Sequence, residues 1–106
     1  MILGIDYGPK NIGLAISEGF IAEPLKVVHS LEEIKKVITE LNIEKIIVGI
    51  SEGKSRELAE KFGNELQSVV GLPVEFVDET LTTHEAGDKE HSKAAAIILQ
   101  RYLDNV

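Results

Sequence analysis

The chain has no cysteine, which excludes a disulfide framework, a thiol nucleophile and a cysteine zinc site. No apolar stretch approaches the ~20 residues that span a bilayer. The opening run, MILGI, is too short for a signal peptide and has no basic flank. A reducing cytoplasm, with no membrane partner, is the expected setting. Aromatics are scarce, two tyrosines and three phenylalanines. Most sit at core-like positions, so no stacking platform for single strands is visible. Basic charge is also short: 11 Lys+Arg face 18 Asp+Glu, a net charge of −7. That argues against a large electrostatic nucleic-acid footprint. It is compatible with a site that gathers carboxylates around cations.

What is present is an ordinary globular composition, 43% apolar and 27% charged over 106 residues. One domain covering 1–106 is expected, large enough for a real core but not for a deep two-domain cleft. Its organising stretch is 1–17, MILGIDYGPKNIGLAIS. Two apolar runs around a Gly/Pro/Asn turn predict a β-hairpin. Asp6 ends the first strand, at the rim of a sheet where a ligand can reach it. Gly8 lets backbone and ligand approach closely. A turn cap is the plainer role for Asp6.

Residues 24–29 (PLKVVH) predict a third strand, completing a meander, with Pro24 at its start. Ser30 and Glu33 form a capping box, and Leu31, Ile34, Ile38 and Leu41 give the helix that follows one apolar face. The nearly continuous apolar run 44–50 predicts a central strand covered on both faces. Residues 51–55 (SEGKS) are expected to be a short polar loop. The next helix places Leu58, Phe62, Leu66 and Val69 on one stripe, with Gly71 as C-cap and Pro73 beyond. Residues 74–77 predict a fifth strand running into Asp78 and Glu79. Thr82 and Glu85 form a second capping box, Gly87 interrupts that helix, and the last helix runs from about Lys89 or Glu90 to Leu103.

This order of elements predicts an α/β layer fold. With strands one, four and five parallel, right-handed crossovers bring their C-terminal ends to one edge, where open α/β sheets bind ligands. That edge would collect Asp6, Ser51 with Glu52, and Asp78 with Glu79. On the last helix His91, Ala95, Ile98 and Tyr102 share a face, with Asp88 one turn earlier. Ala94, Ala95 and Ala96 permit close approach to the sheet. A lone histidine at a helix start is more often structural; beside Asp6 and Glu79, ligation is the better reading. His84 is expected to be exposed, Glu85 to be a capping partner, and Tyr7 to be packing. His29 is expected to lie remote from the acidic edge, with no catalytic role.

Four stretches, 5–17 (IDYGPKNIGLAIS), 47–50 (IVGI), 77–86 (VDETLTTHEA) and 92–104 (SKAAAIILQRYLD), together resemble the YqgF/RuvX family. Its members are Holliday-junction-resolvase-like proteins, also described as pre-16S rRNA nucleases, with a ribonuclease-H-like fold. The resemblance implies a five-stranded mixed sheet of order 3-2-1-4-5 flanked by helices. It also implies metal-dependent phosphodiester hydrolysis of structured RNA or DNA, in pre-16S rRNA processing or Holliday-junction-like resolution. By position, Asp6 matches the strand-one acid and Glu79 the acid of the Asp-Glu pair. The third family acid is replaced by His91, and two customary arginines by Asn11 and Thr80. The loop after strand four is also shorter than usual.

Two cations ~3.5–4 Å apart can serve both the attacking and the leaving oxygen. Asp6 would bridge them, with Glu79 on one, His91 on the other, and Asp88, Asp78 and Glu52 in reserve. Lys10, Asn11, Lys54 and Lys93 are the candidate phosphate contacts. Mg²⁺ and Mn²⁺ both favour oxygen ligands, and an imidazole tips the preference toward Mn²⁺. Loss of an acid and two arginines also suits a catalytically weakened nucleic-acid-binding domain of the same fold. The D-x-G turn resembles the phosphate loop of actin-like and sugar kinases too, but those need two lobes. A two-armed substrate would favour a homodimer.

Overall fold

The computed structural model describes residues 1–50, 54–78 and 91–106. The expectations placed on Ser51, Glu52, Glu79, Thr80, the Thr82/Glu85 capping box, Gly87, Asp88 and the 89–90 helix start lie outside those residues. So does the side chain of Lys54.

Strands β1 (Ile2–Asp6), β2 (Ile12–Ser17) and β3 (Glu23–Val28) form the antiparallel meander. They are followed by α1 (Leu31–Glu40), β4 (Lys45–Ile50), α2 (Lys54–Val70), β5 (Val74–Asp78) and α3 (His91–Asp104). β4 pairs parallel with β1, and β5 parallel with β4. The sheet order is β3-β2-β1-β4-β5, as the resemblance implied.

Strand alternation divides the core in two. Leu3 and Ile5 of β1, Ile12 and Leu14 of β2, and Ile46, Val48 and Ile50 of β4 pack under α1 and α2. The intervening residues face α3, whose Ala95, Ile98, Leu99 and Leu103 cluster with Ala15 and Ile47. Period two therefore puts Asp6, like Gly4, on the α3 side. β4 is buried from Ile46 to Ile50 because helices cover both its faces.

The α1 N-cap forms as expected: Ser30 Oγ accepts from the Glu33 amide, and Glu33 Oε1 accepts from the His29 amide. At the other end Asn42 takes a left-handed φ of 54°, and the Ile43 amide reaches back to the Ile38 carbonyl. This is a Schellman closure with asparagine in glycine's usual place.

Two expectations need correction. α2 begins at Lys54, within the stretch expected to be loop, and its buried stripe is Ala59, Phe62 and Leu66. Leu58 and Val69 are each 48% exposed. The helix is rotated about its axis so that Gly63 faces β5, where any side chain would overlap the Phe76 ring. The second correction concerns His29. β3 runs antiparallel to β2, so its C-terminal end lies at the same edge as the end of β1, and His29 touches the β1–β2 turn.

Candidate active site

β1 delivers Asp6 to the C-terminal edge of the sheet, and α3 delivers His91 at its first turn. His91 Nδ1 lies 3.3 Å from Asp6 Oδ2. Both side chains are mostly covered, 24% exposed for His91 and 14% for Asp6. A carboxylate oxygen accepts, so in this contact Nδ1 is the donor.

This contact depends on how near α3 lies to the sheet. Gly4 and Gly13 sit under the helix with no Cβ in the way. A Cβ at Gly4 would come 2.7 Å from Leu99 Cβ, and one at Gly13 would overlap the His91 carbonyl. The alanines at 94 and 95, both buried, complete the close approach. The alanines were readable as a packing surface. The two strand glycines were not singled out, although glycine inside a strand is a signal for close backbone approach.

Burial holds the Asp6 carboxyl above the usual aspartate range, and the His91 hydrogen bond and charge offset this only in part. The site thus withdraws a carboxylate from water without fully replacing its solvation.

The turn between β1 and β2 surrounds this pair. Tyr7 stacks on Phe62 of α2, ring centroids 4.4 Å apart, and so is packing, as expected. Lys10 is exposed and Asn11 half-buried. Lys93 is exposed, two residues beyond His91 on α3. At the end of β5, the Asp78 carbonyl accepts a 2.7 Å hydrogen bond from Arg101 Nη1 of α3, a contact the sequence did not suggest. Of the expected ligands, Asp6 and His91 are brought together. Glu79, Asp88 and Glu52 lie outside the described residues. Among the described residues, no group of three or more His, Asp or Glu side chains is arranged to hold a metal.

A five-stranded 3-2-1-4-5 sheet whose first strand ends in an acid facing the last helix is a ribonuclease-H-like fold. That fold is shared with T. thermophilus RuvC in complex with Holliday junction substrate: TM-score 0.65, 18% identity, covering 98% of this chain and 93% of that one. A second Thermus thermophilus RuvC structure matches at TM-score 0.59. The chain belongs to the RuvX family, described as Holliday junction resolvase, whose family model matches residues 1–105. A protein of Dictyoglomus turgidum, named "Putative pre-16S rRNA nuclease", is 36% identical over 99% of this chain and 94% of its own length. One of Clostridium botulinum with the same name is 35% identical, covering 99% of this chain and 97% of itself. Both alignments run over 133 positions, against 106 residues here, so these relatives carry residues that this chain lacks.

Proposed function

We propose that the chain cleaves phosphodiester bonds of structured nucleic acid with a divalent cation held at the Asp6 edge, and that its substrate is a 16S rRNA precursor. The observation that carries this reading is the half-buried Asp6 carboxyl with the His91 imidazole 3.3 Å away. A carboxylate drawn partly out of water, beside an imidazole whose Nδ1 is already oriented, fits a cation better than it fits a turn cap. Asp6, Glu79 and His91 would hold the cation, with Asp88 a further candidate ligand. When bound, divalent cations lower the pKa of water and neutralise charge on the phosphoryl oxygens. Asp6 anchors that charge on β1. His91, oriented through Nδ1, fixes the position of the second donor. Lys10, Asn11, Lys54 and Lys93 would contact flanking phosphates.

The names of the relatives favour an rRNA precursor, and that substrate favours a cytoplasmic setting. A four-way junction would need two sites and hence a homodimer, which sedimentation of the chain with and without junction DNA tests.

An oxygen-and-nitrogen donor set suits Mn²⁺ better than Mg²⁺. Cleavage of precursor RNA and of junction DNA, each in Mn²⁺ and in Mg²⁺, is expected to run faster in Mn²⁺ and to vanish in Asp6→Asn. Equal rates in the two metals would count against His91 as a ligand. The replacement of an acid by His91 also favours a second reading, a binding domain with weakened catalysis. Tight RNA binding, with cleavage that Asp6→Asn does not change, would select it.

A further inference from the structure

We infer that His29 is a positioning residue for the β1–β2 turn, and through it for substrate engagement by Lys10; this rests on the nuclease reading. The turn is held from three directions. Tyr7 ties it to α2 through Phe62. Gly8 leaves room for the Asn11 carbonyl, which a Cβ there would meet at 2.7 Å, and lies beside the His91 ring. The third tie is His29, whose Nδ1 donates to the Lys10 carbonyl at 3.1 Å. A carbonyl only accepts, so Nδ1 carries hydrogen in this bond.

His29 is itself anchored. Its backbone amide donates to Glu33 Oε1 at 3.0 Å, and the Ser30 hydroxyl donates to the same oxygen at 3.1 Å. The capping box of α1 thus extends through His29 to the backbone of Lys10, four residues after Asp6. Lys10 is exposed, and a long exposed side chain on an unrestrained turn would sample many directions. Fixing its carbonyl limits them, so less ordering remains to be done when a phosphate binds. The histidine touches neither Asp6 nor His91 in any described contact, so it acts through the turn.

Two variants test this. His29→Phe keeps a ring and removes the donor. His29→Asn keeps an amide N–H near the position of Nδ1. With Mn²⁺ and precursor RNA, His29→Phe is expected to raise KM about fivefold, the cost of ordering one long side chain on binding, with kcat within twofold. His29→Asn is expected to restore most of the loss. Backbone ¹⁵N order parameters at Lys10 and Asn11 should fall from rigid values near ~0.85 toward ~0.6 in His29→Phe and stay high in His29→Asn. Melting curves of both variants show whether either is unfolded. An unchanged KM in a folded His29→Phe, an equal loss of kcat, or an asparagine variant no better than phenylalanine would overturn the assignment. If the wild-type chain cleaves neither RNA nor DNA, the nuclease reading fails, and the order parameters alone then decide whether His29 holds the turn.

Discussion

At Asp6, burial removes water from the carboxylate and the His91 imidazole replaces only part of it, so the folded chain holds the proton more tightly than the unfolded chain does. The sign of the consequence follows from linkage. Between the ordinary aspartate pKa and the raised one, the folded state binds more protons. Stability therefore falls as pH rises through that window and stays reduced above it. Asp6→Asn lacks this loss. It is expected to be more stable than wild type at pH 7 by about 0.5–2 kcal/mol, the range that single stabilising substitutions commonly give, and to lose that advantage at pH 3. Thermal melts across pH check this, and an asparagine variant less stable than wild type at neutral pH would contradict it. Mn²⁺ should raise the wild-type Tm and leave that of Asp6→Asn unchanged, because ligand binding to the native state is what stabilises it.

At the level of elements, α3 matters most, because one helix positions His91 and also seals a face of the sheet. Its distance from the sheet is set by Gly13, where a methyl would overlap the His91 carbonyl. Gly13→Ala must push the N-terminal turn of α3 outward. An overpacking cost of about 1–3 kcal/mol is expected, with a loss of cleavage larger than the loss of stability. Gly19→Ala, where nothing lies within 4 Å, is the control. A Gly13→Ala chain with wild-type cleavage would show that His91 need not sit where it does. The N-cap of α1 gives a separate test. Ser30→Ala should cost about 1 kcal/mol in urea denaturation. The His29 amide, chief among several partners, holds Glu33 below the usual glutamate range. That contribution is full above the ordinary glutamate pKa and lost as pH falls through the lowered one. The wild type should therefore lose more stability than Glu33→Gln as pH drops through that range.

For the whole molecule, the net charge of −7 leaves the proposed nuclease few cations for phosphate, the candidates being Lys10, Lys54 and Lys93. Three phosphate contacts correspond to a slope of log K against log salt of about −2 to −3. Titrating RNA with the Asp6→Asn chain at fixed Mn²⁺ measures it, and a slope steeper than about −5 would require a basic surface beyond Lys10, Lys54 and Lys93. The far end of the sheet is stitched independently. There Lys45 pairs with Glu75 and donates to the Tyr102 hydroxyl at 2.8 Å, joining β4, β5 and α3. Those contacts raise the Lys45 pKa, but exposed pairs of this kind add little stability, and the sheet order does not depend on them.

The meander, the buried middle strand and the α1 cap were readable in the chain, because alternation, apolar runs and capping residues are local signals; the sheet order came from the family resemblance. The meeting of Asp6 and His91 at one edge was readable from their places at a strand end and a helix start and from family resemblance, and their side chains do lie 3.3 Å apart. Three things depended on the third dimension. The rotation of α2, which buries Ala59 and exposes Leu58, is set by the contact of Gly63 with Phe76 across the layer. The closeness of α3 depends on two glycines whose importance lies in what sits above them. The place of His29 follows from the meander itself, whose antiparallel return carries a residue 23 positions after Asp6 back to the same edge; what only the packed structure shows is its hydrogen bond to the Lys10 carbonyl. Periodicity along a chain reports which face a residue takes, whereas the distance between two faces is decided only when the layers pack.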